Sequence, residues 1–383
     1  MKRLREIEFA AMVAMAAAAI SVQAFAADVV QTKKVEVQVE TIAEGLEHPW
    51  ALAILPDGAY LVTERPGRMR IIRDGKLSAP ISGVPEVRNR GQGGLLDVEL
   101  APDFATSRTI YFTAATTNKN GSGTEAFRAS LSADEKTLEN VKSIFAMRRF
   151  TSGNIQYGSR IAVAADGSVF ISIGDRGDRD RSQDWKDDAG AIVHINADGS
   201  IPNDNPFKDG SKALPEIWSK GHRNPQGIAF DTADGKLYTV EHGARGGDEI
   251  NHVEPGKNYG WPVITYGRDY SGAEIGEGTA KEGLEQPLYY WDPSIAPGAL
   301  AIYHGKMFPE WDGDFLVAAL KFQLLSRMQR DGTGAFVAEE RMFDGSYGRM
   351  RDVVVAPDGA LLIVTDEDNG AILRVSRAPG GNG

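Results

Sequence analysis

Six times along the chain a β-prone run meets a short turn carrying aspartate, usually Asp-Gly, and gives way to a second β-prone run. The units are LAILPDGAYLVTE around Asp57, VELAPDFATSRTIYFTAA around Asp103, IAVAADGSVFISIGD around Asp166, IAFDTADGKLYTVEHG around Asp234, WDGDFLVAAL around Asp312 and VVVAPDGALLIVTDE around Asp358. Asp-Gly is favoured in tight hairpins because both central positions can require positive φ, which these two residues tolerate best, so each unit predicts a β-hairpin. From Asp57 to Asp358 is 301 residues in five intervals, a mean near 60. That length fits four strands of about six residues with their loops. Long amphipathic helices do not intervene, which argues against βαβ winding. The expected fold is therefore all-β, a single-domain six-bladed β-propeller over residues 27–383. A large β-sandwich or barrel is the competing architecture, because the spacings run from 46 to 78. Val35–Thr41 alternates apolar and polar residues and predicts a strand that closes the ring with the C-terminal hairpin.

Residues 1–26 stand outside this pattern. Lys2, Arg3 and Arg5 precede an apolar run from Phe9 to Ile20 and then Ala24-Phe25-Ala26. This order predicts a secretory signal peptide cleaved after Ala26, and with it export to a periplasm. The apolar run is too short to span a bilayer and no later stretch is long enough, so no stable membrane insertion is expected.

Composition narrows the chemistry. The chain has no cysteine, which excludes a disulfide framework, a thiolate nucleophile, a Cys-ligated zinc and an iron–sulfur cluster; redox chemistry here requires a bound cofactor. The formal charge of −11 becomes −12 once residues 1–26 are removed. Nucleic acid is thus not an expected partner, a small neutral substrate is compatible, and an anionic ligand would need basic residues gathered locally. GxGxxG after a strand, the P-loop, HExxH and GxSxG are all absent, so nicotinamide, nucleotide and α/β-hydrolase readings lose their support.

The unusual residues cluster between the hairpins. KGHRNPQGIAF (Lys220–Phe230) sets Arg223 and Asn224 just before a strand, and EHGARGGDEINHVEPGKNYGWP crowds Glu241, His242, Asp248 and Glu249 among glycines whose carbonyls suit a hard cation. The two segments read as an anion site beside a calcium site.

These segments resemble the soluble quinoprotein glucose and aldose sugar dehydrogenases of the glucose/sorbosone dehydrogenase family. The resemblance covers nearly all of residues 27–383 and is carried by GQGGLLDVELAPDF (Gly91–Phe104), YGSRIAVAADG (Tyr157–Gly167), ADGSIPNDNPF (Ala197–Phe207), GHRNPQG (Gly221–Gly227), GDEIN with the later NYGWP, and MRDVVVAPDG (Met350–Gly359). It implies a six-bladed propeller that oxidises the C1 hydroxyl of aldoses to lactones with pyrroloquinoline quinone (PQQ) and Ca²⁺, passing electrons to an unidentified acceptor, as a monomer or homodimer. By motif position it implies cofactor contacts from Gln92, Arg223, Asn224, Ser294, Lys321, Arg349 and Arg351. It places calcium against the carbonyls of Gly243 and Ala244 and counts Asp248, in the same loop, among the metal residues. Arg and Lys are the side chains a tricarboxylate quinone needs. Read singly, Arg349 and Arg351 are also compatible with surface charge pairs, Gln92 with a turn and Arg223 with a blade cap. Lys321 is expected inside an apolar hairpin, where an unpaired ammonium is costly. The segment from Asp178 to Asp188 reads as a solvated loop, and His48, His252 and His304 as packing or surface residues.

One departure matters. Where the family carries the histidine that removes the sugar hydroxyl proton, GNIQYGSRI has Gln156, and Ile155 stands where some members carry an acid. A glutamine amide is no general base. Either His242 or Tyr157 serves instead, or Gln156 orients a different substrate, or quinone is bound without efficient turnover. The alternative functions are a calcium-dependent sugar-lactone hydrolase and a non-catalytic quinone- or carbohydrate-binding propeller.

Overall fold

The computed structural model describes residues 27–380, and residues 1–26, where a signal peptide is expected, lie outside them. Each of the six aspartate turns joins the first and second strands of its own antiparallel sheet, five sheets of four strands and one of five. The first strands are Pro49–Ile54, Leu95–Leu100, Gly158–Val163, Pro225–Phe230, Pro297–Ile302 and Met350–Val355. They pack side by side around one axis, the sixth against the first. The chain is a six-bladed β-propeller, numbered here blade 1 to blade 6 in the order of those strands.

The turn chemistry differs from the expectation at one point. In the turn around Asp57, Gly58 has φ +86°, whereas Asp57 is not among the residues of positive φ. Leu55 accepts from the Gly58 N–H at 2.9 Å and donates to Ala59 O at 2.8 Å, a type I turn closed by a left-handed glycine. The aspartate contributes through its side chain instead: Asp57 Oδ1 accepts the Ala59 N–H, and Asp166, Asp234 and Asp358 accept equivalently from Ser168, Lys236 and Ala360. Only the glycine needs positive φ.

Blade 6 closes the ring. Its three C-terminal strands are completed by Glu36–Leu46, antiparallel to Gly370–Arg377 from Val37↔Arg377 to Leu46↔Gly370, with Asp28–Gln31 added at the edge. The expected closing strand at Val35–Thr41 is therefore present, and longer. Each blade is covered on both faces by its neighbours, so second strands such as Phe315–Ala319 and Leu361–Thr365 are buried throughout and read as continuous apolar runs rather than alternating ones.

The axis is plugged by Arg160, only 5% exposed. Its guanidinium lies 3.0 Å from both Asp97 and Asp352, donates to the carbonyls of Gln226 and Gly298, and stacks 4.2 Å from the Trp50 ring centroid. Every one of the six inner strands thus contributes to one buried ionic knot. Asp97 and Asp352 each spend their second oxygen on a backbone N–H, of Ile161 and Leu52, so the buried charges are both paired and hydrogen-bonded. Below the plug, at the Asp-Gly end, is a cavity of about 540 Å³.

Candidate active site

Antiparallel order dictates where side chains gather. The starts of the inner strands and the ends of the second strands share one mouth, opposite the Asp-Gly turns. His48, Gln156, Asn224, Ala296 and Arg349 fall within two residues before an inner strand, and Arg65, Asp175, His242, Lys321 and Asp366 within two residues after a second strand. Three adjoining depressions of about 390, 460 and 500 Å³ occupy this mouth.

Gln92, His242, Arg349 and Arg351 line the central one. Arg349 and Arg351, two apart on an extended run, lie on one side of it. Arg351 is buried and committed: it holds Asp366 Oδ2 at 2.7 Å and Gln226 Oε1 at 2.7 Å. Burial works to raise the Asp366 carboxyl, but Arg351, Arg65 and His48 outweigh it and hold Asp366 well below the usual carboxylate range. Arg349 is exposed, with Nη1 only 3.4 Å from Leu320 O. Lys321 corrects its expectation: the apolar run ends at Leu320, so Lys321 sits exposed on the turn, its ammonium 4.9 Å from the Phe322 ring centroid. Arg223 turns Nη1 to the carbonyls of His242 and Gly243, lies 5.3 Å over Trp261, and has a buried Nε with no partner. Among the described residues Arg223, Lys321 and Arg349 make no ion pair, whereas Arg68, Arg73, Arg160, Arg181, Arg327 and Arg351 are all matched to carboxylates.

The loop from Gly243 to Gly247 offers backbone oxygen. A Cβ on Gly243 would stand 2.2 Å from Gly247 O and 2.3 Å from Gly246 O, so only glycine permits this close approach. Ser294 accepts the Gly246 N–H at 3.0 Å and its Oγ lies 3.5 Å from Ala244 O. Asp248 fastens the loop rather than presenting a free carboxylate: its oxygens accept the N–H groups of Gly243 at 2.8 Å and Ala296 at 2.7 Å. Glu241 is likewise engaged, by the Arg223 N–H and Asn251. No group of three or more His, Asp or Glu that would hold a metal occurs among the described residues, so a cation here would rest on the loop carbonyls with the single carboxylate of Asp292, which lies against Gly246, an oxygen donor set that suits calcium.

Gln156 takes φ +56° and donates its backbone N–H to Gln92 Oε1 at 2.7 Å. Its side chain is 6% exposed and its Oε1 has no partner. Asn224 is spent holding the same segment, its Oδ1 accepting the Gly158 N–H at 3.0 Å. Of the two substitute bases, Tyr157 is turned away, its hydroxyl 2.8 Å from Ser122 Oγ beneath Arg176. His242 remains: Nε2 lies 2.9 Å from Pro297 O and so carries the proton, leaving Nδ1 a lone pair. Burial, then Arg223 and Arg351, push its pKa down to about 3, and the ring is neutral.

Sequence reasoning missed His48, Arg65, Gln226 and Asp366, which line the central depression. His48 bridges Asp366 and Asp368 at 2.9 Å each; its place one residue before an inner strand was the available signal. The segment from Asp178 to Asp188 is also less solvated than expected. Arg181 grips Asp187 through two 2.8 Å bonds, and Lys220 donates to three carbonyls behind them, so Asp187 and Asp188 are buried. His252 and His304 lie away from the mouth.

The mouth of this propeller thus sets unpaired cations beside a carbonyl-rich loop. Residues 46–374 match the Glucose / Sorbosone dehydrogenase family, and the chain belongs to it. Aldose sugar dehydrogenase YliI of Escherichia coli K12 is 42% identical over 346 residues, 89% of this chain and 93% of that one. The crystal structure of the soluble aldose sugar dehydrogenase of E. coli, in its apo form, superposes with a TM-score of 0.86 at 41% identity, covering 89% of this chain and 100% of that one. A PQQ-bound aldose sugar dehydrogenase of Streptomyces coelicolor gives a TM-score of 0.73 at 29% identity, covering 89% and 98%. The chain is thus a sugar oxidoreductase of the propeller type, and no helix among the described residues is long and apolar enough to cross a membrane.

Proposed function

We propose that the protein is an exported aldose dehydrogenase that uses PQQ and calcium, oxidising the C1 hydroxyl of a sugar to the lactone. The observation that carries this reading is the trio of unpaired cations, Arg223, Lys321 and Arg349, around one mouth of an acidic protein. A tricarboxylate is the ligand such a trio fits. The bound quinone would supply the hydride acceptor. Arg223, Lys321 and Arg349 bind its carboxylates, while Arg351, locked by Asp366, forms the floor of the site. The carbonyls of Gly243 and Ala244 hold calcium, with Ser294 and Asp248 fixing their loop. The Gln156 amide orients the sugar hydroxyl, and Nδ1 of His242 is the lone pair that takes its proton. Held a weak base by burial and by its cationic neighbours, His242 makes turnover slow.

Gln156 itself favours a second reading, quinone binding without efficient turnover. The lactone-hydrolase alternative has a weaker basis: of the carboxylates beside the glycine loop, Asp248 and Glu241 are engaged by backbone N–H groups, which leaves Asp292 against Gly246. Residues 1–26 have the order of an export signal. The test is a titration of the mature chain with PQQ, with and without calcium, followed by aldoses while the quinone absorbance is read. Calcium-dependent binding with sugar-driven reduction is expected. Binding without reduction supports the second reading, and no binding overturns both.

A further inference from the structure

Beside the cationic centre, the depression of about 460 Å³ is richer in carboxylates. Asp175, Asp178, Asp180 and Asp269 line it against two guanidiniums, Arg179 and Arg223 at its border with the cationic centre, together with Gln156, Trp261 and Tyr270. Asp180 makes no side-chain hydrogen bond or ion pair among the described residues. Asp178 reaches only to 4.0 Å from Arg149, and Asp269, whose Oδ1 accepts from the Ser271 N–H and hydroxyl at 2.9 and 2.8 Å, keeps Oδ2 4.0 Å from Arg179; both ion pairs are weak and solvent-screened. The Gln156 amide oxygen, on a side chain that is 6% exposed, has no donor. A buried carbonyl oxygen left unpaired is costly until a ligand supplies a donor. Tyr270 is 72% exposed, the largest exposure of any large hydrophobic side chain described, and Trp261 is fixed by its indole N–H on Asp175 at 2.9 Å.

Four carboxylates and the Gln156 oxygen thus outnumber the two guanidiniums, Arg179 and Arg223, and aromatic faces stand beside them. A neutral pyranose offers hydroxyls that need acceptors and donors alike. An ammonium group offers three donors and no acceptor, and is drawn to carboxylates and aromatic faces. We propose that this depression is the substrate subsite and that it selects an aldose bearing a protonated amine, a 2-amino-2-deoxyhexose, over the neutral sugar. Gln156 accepts from the sugar, Asp178, Asp180 and Asp269 surround the ammonium, and Tyr270 covers the ring. The inference rests on the dehydrogenase reading for the reaction, but the binding preference stands apart from turnover.

The test is calorimetric titration with glucosamine, glucose and N-acetylglucosamine, on the protein with and without PQQ and calcium. Glucosamine is expected to bind about fivefold tighter than glucose, the scale of one or two exposed charge contacts. N-acetylglucosamine, which lacks the charge, should bind no better than glucose. The preference should vanish in the Asp178→Asn/Asp180→Asn double variant and at high salt, while Tyr270→Ala weakens all three sugars. Equal affinities for glucosamine and glucose, or a preference that survives both the double variant and salt, overturns the proposal. An amine preference with no quinone reduction leaves the subsite standing and removes the dehydrogenase reading; reduction by all aldoses without an amine preference does the reverse.

Discussion

Arg160 and Asp352 meet at 3.0 Å on the propeller axis, and the neighbour of Asp352 in the same strand is Arg351, the buried cation of the mouth. The ionic knot that holds six blades together therefore also sets the floor of the site. Replacing Arg160 by Met leaves Asp97 and Asp352 buried without their partner. Removing one member of such a pair costs about 3–5 kcal/mol. Arg160→Met is expected to lower the urea midpoint by that equivalent and to weaken PQQ binding with it, since Arg351 loses its anchored strand. An unchanged midpoint would show that the knot carries little of the ring's stability.

Lys321 and Arg349 differ from Arg351 in being free of carboxylate partners. Each should contribute a charge-assisted hydrogen bond to the quinone, on the order of 1.5–3 kcal/mol or roughly 10- to 100-fold in affinity. Lys321→Ala and Arg349→Ala are expected to reduce PQQ affinity on that scale while leaving thermal unfolding unchanged. Arg351→Ala should lower both, because it strands Asp366. Fluorescence titration beside a melting curve separates the two classes, and a loss of stability in the first two variants would contradict their assignment as free cations.

The architecture was legible because Asp-Gly turns are a local signal. Gly58 must adopt φ +86° whatever surrounds it, and the six turns fall one per blade. Most of the mouth was legible only through motif resemblance. His48 and Asp366 face each other at 2.9 Å across 318 residues of sequence, and nothing local to either foretells the pairing. Asp248 looked like a metal ligand because its type and its glycine neighbours suit one; that both its oxygens are spent on backbone N–H groups is a fact of the folded loop. Lys321 was misread because Phe315–Ala319 continues apolar into Leu320, and the position of the turn depends on register with Leu324–Arg330.

Asp188 offers a pH test away from the site. It is fully buried, with Oδ2 accepting the Arg148 N–H at 2.7 Å and Oδ1 without a partner. Burial, with the charge of Glu216 adding to it against the Arg148 N–H, raises its pKa from 3.8 to about 7. Between those values the folded chain holds a proton that the unfolded chain has lost. The stabilisation is complete below the lower value and is lost as pH rises through the upper one, by at most about 1.4 kcal/mol per pH unit. Urea midpoints on either side of the window should fall with pH in the wild type and fall less in Asp188→Asn. Parallel slopes would assign the dependence to another group.

The missing base gives the last prediction. Gln156 already has the φ +56° that its position requires, and histidine is among the residues that tolerate this region. Its backbone N–H stays on Gln92, so Gln156→His places an imidazole where a buried amide oxygen now finds no donor. Unlike His242, whose ring is held neutral by burial and by Arg223 and Arg351, an imidazole there faces a depression in which the carboxylates of Asp175, Asp178, Asp180 and Asp269 outnumber the guanidiniums of Arg179 and Arg223. A positioned general base contributes about 10²–10⁴-fold. Gln156→His is therefore expected to raise kcat for aldose oxidation by at least about a hundredfold, with little change in PQQ affinity and with a rate that climbs through the imidazole range of pH. His242→Ala should abolish the slow wild-type turnover and leave most of the variant's. A variant that gains nothing, with intact quinone binding, would place proton removal at His242 and make Gln156 a residue that orients substrate.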